Sequence, residues 1–165
     1  MNAKKIKFID IVKMIVRTDW AIELVMLLIT VVMLVFTKDV FVSFYFPILF
    51  ILGIVLSVSI HEYLHILCMK KNGIYEIKIK NDLWKFSVKT DEELYGSDLI
   101  ITALSGPVVC FVIGVALSII GSLFEIRFCL VCSVFYLIHI INIIPPLGDG
   151  KMIMKGILTL NTYER

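Results

Sequence analysis

Four long apolar stretches dominate the pattern of hydrophobic and polar positions: 21–36, 40–69, 99–124 and 128–144. None has the strict alternation of a half-buried strand or the narrow stripe of a surface helix, so each predicts a membrane-crossing helix. The first is about 24 Å long as a helix, slightly short of the hydrocarbon thickness of a bilayer. The second is long enough to cross with a tilt, or with a break near Pro47. Ahead of them, residues 1–18 set Lys4, Lys5, Lys7, Lys13 and Arg17 around Phe8, Ile11, Val12 and Ile15. That apolar spacing predicts an amphipathic helix lying on a membrane surface. Asp10 and Asp19 interrupt the segment before the first apolar block, which argues against a cleaved secretory leader. Between the second and third blocks, Ile74 to Lys80 alternate apolar and polar residues, Asn81-Asp82 offers turn chemistry, and alternation resumes through Trp84, Phe86 and Val88. This predicts a β-hairpin over 74–89. The expected fold class is an all-α membrane protein of four spans, an N-terminal interfacial helix and a hairpin between spans two and three, within one domain of residues 1–165.

Composition sharpens this. Apolar residues make up 59% and charged residues 18%, and mean hydropathy is +0.96, which excludes ordinary soluble and disordered classes. Cys68, Cys110, Cys129 and Cys132 all lie in or beside apolar blocks and read as small hydrophobic residues, not as a disulfide framework. The net charge of +2 conceals an asymmetry: with the amino terminus placed in the cytoplasm, only Lys38 and Arg127 of the 16 basic residues fall on the far side. The positive-inside bias therefore predicts both termini and the 70–98 loop in the cytoplasm; the expected location is integral to a bacterial cell membrane. No nucleic-acid footprint is present, and the lipid bilayer is the expected partner.

The chemistry sits in the second block, where His61-Glu62-Tyr63-Leu64-His65 forms H-E-x-x-H. On a helix, histidines four apart share one face and can grip one zinc ion, while Glu62 can take a proton from a water that the ion activates. Ionisable groups in lipid are costly without such a role. Zinc hydrolases usually have a third protein ligand, and the sequence offers two: Asp149, between two glycines after Pro145-Pro146, and His139 within the fourth block. Depth favours the first. His65 is about 7.5 Å of helix from Lys70 at the cytoplasmic boundary, and Asp149 precedes Lys151 on the same side.

HEYLH in an apolar helix, Ser105-Gly106-Pro107 in the next span, and the run from Asn142 to Gly150 (NIIPPLGDG) together resemble the site-2 protease family of intramembrane zinc metalloproteases over about residues 40–150. The resemblance implies His61, His65 and Asp149 as zinc ligands, Glu62 as general base, and Asn142 as a residue that positions substrate. This chain has one residue fewer than the family's commoner spacing between the asparagine and the aspartate, Gly148 where leucine is usual, and Cys110 where many members carry asparagine. The expected function is zinc-dependent endoproteolysis in or near a membrane-spanning segment or of a small precursor peptide, with an accessory partner left open. One alternative is a prenyl-protein-type membrane protease using Glu125 as third ligand, but the topology puts that residue on the opposite face. Another is a non-catalytic metal-binding, immunity or transport accessory protein. Ser105 lacks a histidine base in sequence and reads as part of close helix packing, together with Gly114 and Gly121.

Overall fold

The computed structural model describes residues 3–18, 20–82, 85–90 and 92–163. The chain is mostly helical, and four segments are long and apolar enough to cross a membrane: Trp20–Thr37, Val40–Lys71, Gly96–Leu123 and Arg127–Leu160. This is the make-up of a membrane protein.

Helix α1 (Phe8–Thr18) is followed by α2 (Trp20–Thr37), which lies at the edge of the bundle with Leu24, Leu28, Val35 and Phe36 exposed. A helix apolar all round and covered by little protein is suited to lipid. Asp39 starts α3 (Val40–Leu49) by accepting the backbone N–H groups of Phe41 and Val42 at 2.8 and 3.2 Å, satisfying two donors that the first turn leaves over. Pro47 does not break the second span. The helix passes it and widens into a π-helical turn, Phe50–Val55, where the N–H of Leu56 reaches Ile51 O. It then continues as α4 (Leu56–Lys71). Such a wide turn changes the facing of all the residues that follow it, and is frequent next to functional sites.

Helix α5 (Gly96–Leu123) is the central element and packs against α4, α6 (Arg127–Leu137) and α7 (Gly148–Tyr163). Its glycines set the α6 approach. A Cβ on Gly114 would come within 2.8 Å of Leu137 Cγ, and one on Gly121 within 2.8 Å of Leu130 Cγ, so only small residues allow this contact. The fourth apolar stretch departs from the single span expected over 128–144. Regular helix stops at Leu137, a 3₁₀ turn covers Ile138–Ile143, and after Pro145-Pro146 the chain turns and resumes as α7. Proline withholds the N–H groups that would have continued the helix, but Gly148 and its successors can start another. Gly150 lets the two parts touch, because a Cβ there would lie 2.6 Å from Ile143 O and from Pro145 N.

At the other end of α4 the chain builds its main apolar cluster. Ile11 and Ile15 of α1 are 0% and 2% exposed and join Ile6, Ile66, Met69, Ile74 and Ile77. The amphipathic face of α1 is thus covered by protein, whereas the sequence reading turned it towards a membrane surface. Periodicity shows that a stripe exists without showing what covers it. Lys70 Nζ donates to Ile6 O at 3.0 Å and ties down the segment before α1. The hairpin consists of β1 (Lys78–Asp82) and β2 (Lys85–Lys89), antiparallel, with Ile79 opposite Val88 and Asp82 opposite Lys85. Asn81 and Asp82, expected to turn, are paired within the ladder; Ile74 and Ile77, expected in the first strand, are buried in the cluster. This register gives Val88 a place against that cluster, and burial of apolar residues outweighs local turn preference. Trp84 lies outside the described residues.

Candidate metal centre

His61, Glu62 and His65 occupy one turn of α4, and the spacing of four brings both imidazoles to one face. Their Nε2 atoms are 3.1 Å apart. Asp149, in the first turn of α7, completes a triangle: Oδ2 is 3.2 Å from His61 Nε2 and Oδ1 is 3.4 Å from His65 Nε2. All three residues are buried, at 4%, 6% and 8% exposure for His61, His65 and Asp149. The fold explains the meeting. Pro145-Pro146 and Gly150 fold the chain back over the 3₁₀ turn, which starts α7 beside α4 with Asp149 at a helix amino terminus, where a carboxylate is favoured.

The donor set fits zinc. Bonds of ~2.0–2.1 Å in a tetrahedron place neighbouring ligand atoms ~3.3 Å apart; the two Nε2 atoms are 3.1 Å apart, and one ligand atom from each of His61, His65 and Asp149 lies within 4.8 Å of the others. The protonation pattern fits as well. His65 Nδ1 lies 2.7 Å from Thr102 O, and a carbonyl can only accept, so Nδ1 carries a proton, and in the neutral ring the Nε2 lone pair faces the cluster. His61 is held differently. Its Nδ1 is buried without a hydrogen-bond partner among the described residues. The backbone of α5 comes so close that a Cβ on Gly106 would lie 2.9 Å from His61 O and 3.0 Å from both Cγ and Nδ1.

Glu62 presents Oε2 to the backbone N–H of Val88 in β2, at 3.1 Å. One carboxylate oxygen is thereby anchored by the hairpin. His139 is buried in the 3₁₀ turn. Its ring stacks on that of His61, with centroids 4.7 Å apart and planes at 27°, and Nε2 approaches Ser57 Oγ at 3.3 Å. It is not one of the residues whose ligand atoms converge, which are His61, His65 and Asp149. Asn142 is half-buried in the same turn, seven residues before Asp149. Ser105 Oγ donates to Thr102 O at 2.8 Å, the carbonyl that also takes His65. Glu125 is exposed in the α5–α6 turn with a φ of 55°. The length of α5 separates it from Thr102 by about 30 Å, which removes it as a ligand.

Thr102, Gly106 and Ser57 were missed as parts of the site's surroundings. Gly106 had a signal, the Ser-Gly-Pro element; Thr102, one turn earlier on α5, acts through its carbonyl and leaves no trace in residue type. No curated protein and no solved structure matches this chain. Residues 54–161, which carry both histidines, Glu62 and Asp149, match the model of the family described as "Putative zincin peptidase", and the chain belongs to that family.

Proposed function

We propose that this protein is a zinc-dependent intramembrane endopeptidase, of the site-2 protease kind, that cleaves within or near a membrane-spanning segment or a small precursor peptide. The observation that carries the reading is the buried convergence of two imidazole nitrogens, 3.1 Å apart, on one carboxylate whose oxygens lie 3.2 and 3.4 Å from them, formed between segments apolar enough to cross a membrane.

In this reading His61, His65 and Asp149 hold the ion. Bound there, zinc supplies Lewis acidity, polarising a peptide carbonyl and bringing the pKa of a water towards ~7. Glu62 accepts the proton that the attacking water gives up and returns it to the departing amine. The hydrogen bond from Val88 to Oε2 supports Oε1 as the atom that takes it. Asn142 positions the substrate from the 3₁₀ turn. The scissile segment must be extended, since a helix hides its carbonyls in hydrogen bonds. The hairpin beside Glu62 is the element suited to receive it, by strand pairing. The clustering of basic residues supports a cytoplasmic mouth and cytoplasmic termini.

The test is Glu62→Gln in the purified full chain. Cleavage of a membrane-peptide reporter should fall by at least about 100-fold, the range for loss of a general base, while zinc per chain measured by mass spectrometry stays at the wild-type value. Retained cleavage removes the mechanism. Membrane peptides that accumulate in cells carrying this variant identify the substrate.

A further inference from the structure

The chemistry above leaves His139 unused, although it lies directly on a candidate ligand. Its Nε2 is engaged by Ser57. Ser57 Oγ lies 3.0 Å from Ile54 O and 3.3 Å from His139 Nε2; with its one hydrogen donated to Ile54 O, Ser57 Oγ is the acceptor for a protonated His139 Nε2. That nitrogen is committed to Ser57 and is not offered to an ion. The ring, by contrast, covers one face of His61, in the offset-stacked range of aromatic pairs.

His61 needs such support. A metal-ligating histidine almost always donates its second nitrogen to an acceptor, which fixes the ring's rotation. His65 has this in Thr102 O, 2.7 Å away, whereas His61 Nδ1 has no partner among the described residues. We infer that His139 is a positioning residue for His61: its stacked ring takes the place of the absent hydrogen bond and keeps His61 Nε2 aimed at His65 Nε2 and Asp149. Shape is the operative property, so a ring of another kind can substitute and an aliphatic side chain of similar bulk cannot. Neither exchange strands a polar group, because Ser57 keeps its bond to Ile54 O.

This inference rests on the zinc-binding part of the proposed function but not on proteolysis, and its test reads the metal. Zinc affinity of the full chain in detergent is measured against a competing chelator, and the absorption spectrum is recorded after Co²⁺ loading. His139→Leu should weaken zinc about tenfold, within the range for outer partners of a ligand, and alter the Co²⁺ bands. His139→Phe should restore affinity to within about twofold of wild type, as expected when stacking alone is the contribution. Wild-type affinity in His139→Leu overturns the inference, as does a His139→Phe protein as weak as His139→Leu. A loss in His139→Leu as large as that in Asp149→Ala also overturns it, by making His139 a ligand. A wild-type chain that takes up no zinc sinks both this inference and the proposed function, whereas zinc uptake without cleavage counts against the peptidase reading alone.

Discussion

His61 and His65 stand one turn apart on α4 and direct Nε2 atoms at each other across 3.1 Å, yet their surroundings differ. His65 is secured by a hydrogen bond to Thr102 O, which fixes both its rotation and its tautomer. His61 is secured by shape, with the ring of His139 over one face and the α5 backbone at Gly106 close to Cγ and Nδ1. A hydrogen bond to a backbone carbonyl survives most side-chain changes in the residue that supplies it. A packed fit does not, because interiors are dense and transmit changes of even one methylene. The His61 half of the centre should therefore be fragile to substitutions in its surroundings, and the His65 half tolerant.

The largest effect should come where the halves are joined. Asp149 gives one oxygen to each imidazole, at 3.2 and 3.4 Å, so Asp149→Ala removes a partner from both. Zinc affinity should drop more than about 100-fold, beyond the range for residues that only support a ligand, and zinc per chain should approach zero after dialysis. Unchanged stoichiometry would transfer the ligand role to His139 and dissolve the comparison.

How much of this could be read from the residues alone depends on what does the work. His61, His65 and Asp149, which the structure brings together, are side chains whose chemistry is explicit, and H-E-x-x-H at helical spacing put two of them on one face. The apolar blocks located the four segments long and apolar enough to cross a membrane, the last of them only in part, because a spanning helix must be a long unbroken apolar run. The restart of helix at Gly148 was hidden because Pro145-Pro146 reads as an ending and Lys151 and Lys155 interrupt the apolar run. The face of α1 was legible, but its covering by Ile66 and Met69 depends on residues some 50 positions away. Thr102 contributes a carbonyl, which every residue has.

The next effect tests fragility directly. A side chain at Gly106 would start 2.9 Å from His61 O and 3.0 Å from Cγ and Nδ1, and a backbone oxygen cannot step aside as a side-chain tip can. Gly106→Val should cost about 1–3 kcal/mol of stability as overpacking and also weaken zinc by about 10- to 100-fold, as loss of support around a ligand does. Gly121→Val is the matched case. It overpacks the same helix against Leu130 at 2.8 Å, about 22 Å further along, and should lower thermal stability with zinc affinity intact. Equal zinc loss in the two variants would mean that α5 packing in general, and not the His61 contact, governs the centre.

The smallest effect belongs to the tolerant half. Thr102 is completely buried, and its Oγ1 has no hydrogen-bond partner among the described residues, while its carbonyl takes both His65 Nδ1–H and the Ser105 hydroxyl. Thr102→Val replaces an unsatisfied hydroxyl by a methyl of nearly the same shape and leaves the carbonyl in place. Removing a buried polar atom that makes no bond relieves a desolvation cost, so stability should stay constant or rise by up to about 1 kcal/mol. Zinc affinity should stay within about twofold of wild type, since the backbone bond that orients His65 is kept. A fall in affinity comparable to that of Gly106→Val would show that His65 depends on the Thr102 side chain after all, and the two histidines would then be held by the same means.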